Sequence, residues 1–414
     1  MGNASKSSAD DVPEPTIPKR NPPAPVVTEP NARAAIAADA ILGRHLRHAW
    51  WVPGTRLATI AWPLGRLPLD VVRSRFGFWH YWWHAHLLDL IVDAAIHRPT
   101  DDMSYDPYLA DVANRLLRGI RLRNLGRWTN NYYDDMAWLG LAIERADRHL
   151  ELHHPRALRT LSRRMNDAWE PERGGGIPWR TVDTFFNAPA NGPATILLAR
   201  TGHLDRALAM CDWMDSALVD PDSHLVIDGI KPKDDEFERV TAIYTYCQGV
   251  VLGSEVEAAR RTRETVHLDR IDRLLTAVES HECPDGVIRG AGGGDGGLFM
   301  GVLARYLALI ATDLPADLPG ADELRRRSAA LVLASADAAW STRAEVDDTV
   351  VFSADWHQQA VRPTRSGTDA AFIAGAVNSS SVPERDLSVQ LSGWMVLEAA
   401  AAIDLGLSEQ NVRP

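Results

Sequence analysis

The sequence predicts an all-α fold. From Asn31 onward, apolar residues recur at the three-to-four-residue spacing of amphipathic helices almost without a break. Alternating runs are scarce, with Leu225–Ile227 and Thr349–Phe352 as short exceptions. The breaks before every second helix are long and carry unusual residues: Trp82-Trp83, Asp134-Asp135, Phe186-Asn187, Tyr246-Cys247-Gln248 and Gly296-Gly297. These clusters return 50 to 60 residues apart, the period of a repeated helix pair. Six inner and six outer helices then make an (α/α)6 toroid. One mouth is built from the loops that precede the inner helices.

Taken in order, residues 1–30 are rich in Pro, Ser and charge and read as a disordered tail. Residues 31–414 form the single helical domain. Its first helix is expected over 31–49, followed by an irregular, Pro-containing stretch to about Phe78. Helices follow over 80–96, 106–121 and from the Asp-Asp pair to about Leu150, with 155–169 as a partner. The segment EPERGGGIPW breaks the pattern. Helices resume over 189–200, 204–218, 240–257, 268–281, 297–311, 321–340 and 385–405.

Composition narrows the function. A hydrophobic content of 45% is enough for a sizeable core. The net charge of −11 argues against nucleic acid or an anionic membrane as partner. Cys211, Cys247 and Cys283 are widely spaced and odd in number, which fits a reducing compartment better than a disulfide framework. No run is long and apolar enough to suggest a membrane span, and the first residues lack the apolar core of a secretory signal. A cytoplasmic location is therefore expected.

The chemistry centres on NNYYDDMAWLGLAIERA, residues 130–146. Asp134 and Asp135 fall at a helix start, where one carboxylate can cap and the other can meet the positive end of the helix dipole. Two carboxylates this close cannot easily both stay ionised, so one is driven toward the neutral form. A neutral acid beside a charged base is what glycoside hydrolysis requires. Tyr132, Tyr133 and Trp138 surround the pair with flat apolar surface suited to a sugar.

With these motifs in order, the chain resembles glycoside hydrolase family 76, the α-1,6-mannanases. YYDDMAWLGLA is similar to the segment that carries the family's catalytic Asp pair. GGGIPW (174–179), HLVIDGI (224–230), YTYCQGVVLG (244–253) and GGGDGGLFMGVLARYL (292–307) resemble further family blocks. Cys247 stands where the family usually has Asn, and Phe186 where Lys often precedes Asn187. The resemblance implies the (α/α)6 barrel, an α-mannan or other mannose-containing glycan as substrate, and no metal or organic cofactor. It implies Asp134 as nucleophile and Asp135 as general acid/base. Asn131, Tyr133, Trp179, Asn187, Asp228, Tyr246, Gln248 and Asp295 are candidates for holding the glycan. The alternative is a non-hydrolytic glycan-binding or sugar-isomerising toroid, because a fold of this kind hosts several chemistries.

Other motifs carry less. Gly292–Gly297 matches G-x-G-x-x-G, but no strand precedes it as a dinucleotide site demands. A close-approach loop at the mouth fits better. His80, His84 and His86 lack an ordered carboxylate or thiol partner for a metal, and Asp101-Asp102 with Asp106 reads as a loop and a helix cap.

Overall fold

The computed structural model describes residues 27–65, 72, 79–171, 175–233, 236–373 and 375–406. Most of the predicted tail lies outside these residues, as do much of the irregular stretch before Phe78 and the Asp234-Asp235 pair. Twelve helices are present among the described residues: α1 (Pro30–His45), α2 (Tyr81–Ile96), α3 (Pro107–Arg123), α4 (Tyr133–Leu150), α5 (Pro155–Asn166) and α6 (Ala188–Arg200) in the first half. The second half supplies α7 (Leu204–Leu218), α8 (Thr245–Thr262), α9 (Thr265–His281), α10 (Gly296–Asp313), α11 (Ala321–Ser341) and α12 (Leu387–Asp404).

The even-numbered helices form the inner ring. α2 packs on α4, α4 on α6, α6 on α8, α8 on α10, α10 on α12, and α12 returns to α2. The odd-numbered helices lie outside, each against an inner neighbour, and α1 packs on α12. The sequence explains the division. Inner helices are buried nearly all round; in α2 only Trp82 among sixteen residues is not buried. The outer α5 buries one face, through Ala157, Leu161, Ser162 and Met165. The inner ring is tight because glycine faces the next helix. A methyl added to Gly140 would meet Leu197 of α6 at 2.5 Å, one on Gly192 would meet Val250 of α8 at 2.3 Å, and one on Gly253 would meet Tyr306 of α10 at 2.4 Å.

Helix starts follow local signals. Asp106 accepts the Tyr108 and Leu109 amide N–H groups at 2.8 and 3.4 Å, so the acidic stretch at 101–106 does end in a cap. Asn187 accepts from the Ala190 amide at 3.2 Å, with Pro189 in the first turn of α6.

Several expectations need correction. The helix expected from Val240 begins instead at Thr245, because Ile227–Lys233 (β4) and Glu236–Ile243 (β5) pair as an antiparallel hairpin. Every second residue of β5 does not face a core, so no alternation marked it. The first helix stops at His45, and Leu46–Arg47 (β1) pairs with Leu57–Ala58 (β2). Phe186–Asn187 (β3) joins the edge of β4. Between α11 and α12 lie two further hairpins, Ala344–Val346 with Thr349–Val351 (β6, β7) and Ala371–Ile373 with Ala376–Asn378 (β8, β9). Finally, α10 does have the length and apolar composition to cross a bilayer. Its place in the inner ring, with thirteen of its eighteen residues buried, accounts for that composition.

The middle of the barrel is charged. Arg145 of α4 reaches Asp89 and Asp93 of α2 at 2.5 Å each, and Arg305 of α10 reaches the same two carboxylates at 2.8 and 2.6 Å. Although burial opposes ionisation, Arg145 and Arg305 hold Asp89 below the ordinary carboxylate range. Four charges taken out of water cost a great deal, and this mutual pairing offsets much of it.

Candidate active site

The mouth opens into a cleft of about 700 Å³ formed where the inner helices begin. Tyr132 adopts an extended backbone at the start of α4, which places Asp134 and Asp135 in its first turn. The two carboxylates are not equivalent. Asp134 Oδ2 accepts the indole N–H of Trp179 at 2.9 Å, and Oδ1 accepts the amide N–H of Asp135 at 2.8 Å. Asp135 Oδ2 accepts from the Asn130 side-chain amide at 2.5 Å. Burial pushes Asp134 up to about 6, against the pull of its two donors. Burial and the adjacent Asp134 charge drive Asp135 well above the usual carboxylate range. Near neutral pH the arrangement is therefore one ionised carboxylate beside one protonated acid.

Aromatic residues make the walls and floor. Trp82 and Trp138 line the cleft, and His86 lies beneath both, its ring 5.5 and 4.5 Å from theirs. His86 is buried and its basicity falls to about 3, chiefly through desolvation, so it is neutral. Tyr246 and Phe299 stack at 4.0 Å with nearly parallel rings, each 6.4 Å from the ring of Trp82. Burial pushes Asp228 up to about 6, with Lys231 as the nearest counter-charge.

Of the residues singled out in the sequence, Asn131, Trp179, Asn187, Asp228, Tyr246 and Asp295 line this cleft together with the Asp pair. Two do not. Tyr133 is buried on the outer side of α4, where Arg164 of α5 lies over its ring at 5.5 Å; its neighbour Tyr132 faces the cleft instead. Gln248 is wholly buried. Its side chain accepts the Val226 amide at 2.7 Å and donates to the carbonyls of Val226 and Tyr244 at 2.9 and 3.0 Å. It clasps the β4 end to the start of α8. Asp295 reaches the cleft, but both oxygens are engaged: Oδ1 by the indoles of Trp82 and Trp83 at 2.9 and 3.0 Å, Oδ2 by the Val377 amide at 2.7 Å. His84 is likewise tied to backbone, accepting the Ala58 amide at 3.1 Å.

Sequence reasoning missed Asn130, Tyr244, Phe299 and the β8–β9 hairpin. Asn130 could have been found, since it opens the same polar run as the Asp pair. The hairpin carries no local signal of a functional role.

A family model described as glycosyl hydrolase family 76 matches residues 54–392. The chain belongs to that family. Among solved structures of similar shape is the α-1,6-mannanase of Salegentibacter sp. HEL1_6. It is 27% identical, with a TM-score of 0.73, over 91% of this chain and 100% of that one. An inactive variant of the same enzyme, with two consecutive aspartates replaced by asparagine and α-1,6-mannotriose bound, matches at 27% identity and a TM-score of 0.72 over the same shares. A mannan endo-1,6-alpha-mannosidase of Eremothecium gossypii is 24% identical over 272 residues. That match takes in 58% of this chain and 56% of the relative, so it spans little more than half of that protein's length. The family's (α/α)6 architecture agrees with the closed inner ring described above.

Proposed function

We propose that this family 76 chain is a retaining, endo-acting α-1,6-mannanase. The observation that carries the reading is the unequal state of the paired carboxylates: both are buried and both accept hydrogen bonds, but Asp134 is raised only to about 6, while burial and the adjacent Asp134 charge drive Asp135 toward the neutral acid. The Salegentibacter structures lend support, since loss of two consecutive aspartates accompanies inactivity in an enzyme of the same fold.

In this mechanism a carboxylate oxygen of Asp134 attacks the anomeric carbon as the bond to the leaving oxygen breaks. Asp135 transfers its proton to that oxygen. The product is a mannosyl ester of Asp134 and an ionised Asp135. Asp135 then takes a proton from water, whose oxygen displaces Asp134 and restores the original anomeric configuration. Trp82, Trp138 and the Tyr246–Phe299 stack offer apolar faces to the sugar rings. No step in this scheme calls on a metal or organic cofactor.

The test is incubation with linear α-1,6-mannan, with products followed by chromatography and proton NMR. Short α-1,6-mannooligosaccharides, first released as the α-anomer, are expected. Release of the β-anomer would exclude retention. Binding of the polymer with no product would favour the non-hydrolytic alternative.

A further inference from the structure

The hairpin β8–β9 leaves the rim between the fifth and sixth inner helices, α10 and α12. Midway along β9 it is held twice by Asp295: the Val377 amide donates to Oδ2 at 2.7 Å, and the Asp295 amide donates to the Val377 carbonyl at 2.9 Å. Behind this latch, the Ala370 amide donates to Ser380 Oγ at 2.9 Å, and Ser380 is bonded to the buried Asp386. The free end of the hairpin arrives elsewhere. Gly375, with φ +97°, is so close to Trp179 that a methyl placed on it would lie 3.0 Å from the far carbon of the indole, Cη2. A side chain there would also be strained by the backbone conformation.

Trp179 belongs to the rim between the second and third inner helices, α4 and α6. In a ring of six, the gap between the second and third is diametrically opposite the gap between the fifth and sixth. The hairpin therefore spans the mouth. It lands on the indole whose opposite edge holds Asp134, so the crossing lies within one ring's length of the catalytic pair. The same cleft is lined by Tyr81, which begins α2, by Asn124, which precedes α4, and by Asp228, Tyr244 and Phe299, which lie near the starts of α8 and α10. Phe372 and Val377 face the same space, and Phe372 remains 44% exposed.

We infer that the β8–β9 hairpin is a crossbar over the cleft that selects unbranched glycan at the catalytic pair. This rests on the reading of the site as an α-1,6-mannan hydrolase. A single-file chain lies along the cleft beneath the bar. A side branch on the units spanned by the bar would need the volume that Phe372, Gly375 and Val377 occupy. Exclusion by occupied volume is a stronger discriminator than one more favourable contact to the preferred chain.

Two measurements test this. On a branched polymer with the same α-1,6 backbone and single-mannosyl side chains, the full chain should cut only between unbranched units. Its kcat/KM should be about 100-fold below that on the linear polymer, as a built-in clash allows. Replacing Phe372–Val377 by two glycines, so that Ala371 runs directly into the turn before Asn378, should raise the branched-to-linear ratio of kcat/KM by at least about 10-fold. Thermal melting and cleavage of the linear polymer verify that the variant is folded. Cuts beside branched units in the wild type, or an unchanged ratio in a folded variant, would overturn the crossbar. If the wild type leaves the linear polymer intact, the functional reading fails first and the inference falls with it.

Discussion

Trp179 and Asp134 are joined by one hydrogen bond, the indole Nε1 donating to Oδ2 across 2.9 Å. It acts on the charged form of the carboxylate and so opposes the burial that pushes Asp134 up to about 6. Trp179→Phe keeps an aromatic ring in place and removes only the donor. The anion loses support, so its pKa rises further and the acidic limb of the pH profile of kcat/KM should move to higher pH. A loss of about 10- to 100-fold in kcat/KM at pH 6 is expected, the usual scale for a group acting on a catalytic carboxylate. A limb that stays in place would show that this bond does not keep Asp134 ionised.

Asp134→Ala and Asp135→Ala should fail at different steps. Without Asp134 no glycosyl ester forms, so that variant is expected to be inactive on every substrate. Asp135→Ala should still react with an activated aryl mannoside, whose leaving group needs no proton, but then turn over slowly. Added azide should restore turnover and give the α-azide. Rescue of Asp134→Ala to a β-azide, with Asp135→Ala unresponsive, would reverse the two roles.

The same burial makes the pair a weak point in stability. Asp135 has a folded-state pKa above its unfolded value, so the stability it contributes is present at low pH and is lost as pH rises through the folded pKa. Asp135→Asn removes that loss. Melting temperature should rise by roughly 2 °C at pH 8, with a much smaller gain near pH 4, where the folded carboxyl is neutral and the unfolded one only about half ionised. Equal shifts at both pH values would point to packing rather than charge.

Gln248 and Tyr133 separate architecture from substrate contact. Gln248→Ala leaves the backbone groups of Val226 and Tyr244 buried without their partner and should cost about 2–4 kcal/mol in denaturant unfolding. Tyr133→Phe should change KM and kcat by less than about 3-fold, because it removes only a hydroxyl from a ring packed against α5. A large KM effect for Tyr133→Phe would put that hydroxyl in the cleft after all.

Helical periodicity made the architecture legible. The 50- to 60-residue return of Trp82-Trp83, Asp134-Asp135 and their counterparts marks the inner helices because each inner helix starts at the mouth, where local chemistry is least free. The site was legible where one stretch of chain supplies it. NNYYDD holds Asn130, Asn131, Tyr132 and both carboxylates within six residues. It failed where direction matters: Tyr132 and Tyr133 are adjacent and alike, yet Tyr132 is the extended residue before α4 and faces the cleft, while Tyr133, the first helical residue, packs under Arg164 of α5. Gln248 misled for a related reason, since a polar residue among cleft residues was satisfied by backbone instead of ligand. The hairpins were hidden because β8–β9 is only three residues per strand, and its position over Trp179 depends on a tertiary approach.

A ring that ends by packing α1 against α12 holds its first helix in waiting while the rest is made. Arg44 of α1 bonds the carbonyls of Val346 and Val350, some three hundred residues further on. During synthesis α1 can meet α2, through Asn31–His97 and Asp39–Arg98, but it lacks its main partner until α12, the last inner helix, has left the ribosome, and closing so long a loop is slow. The seam should therefore be the last part of the protein to become protected in pulse-labelling hydrogen exchange during refolding, and the first to open under mild denaturant. Early protection of α1 amides, ahead of those in α4 and α6, would mean that the ring does not close in this order. A binding agent directed at the α1–α12 seam would then act on assembly, far from the cleft, without competing for sugar.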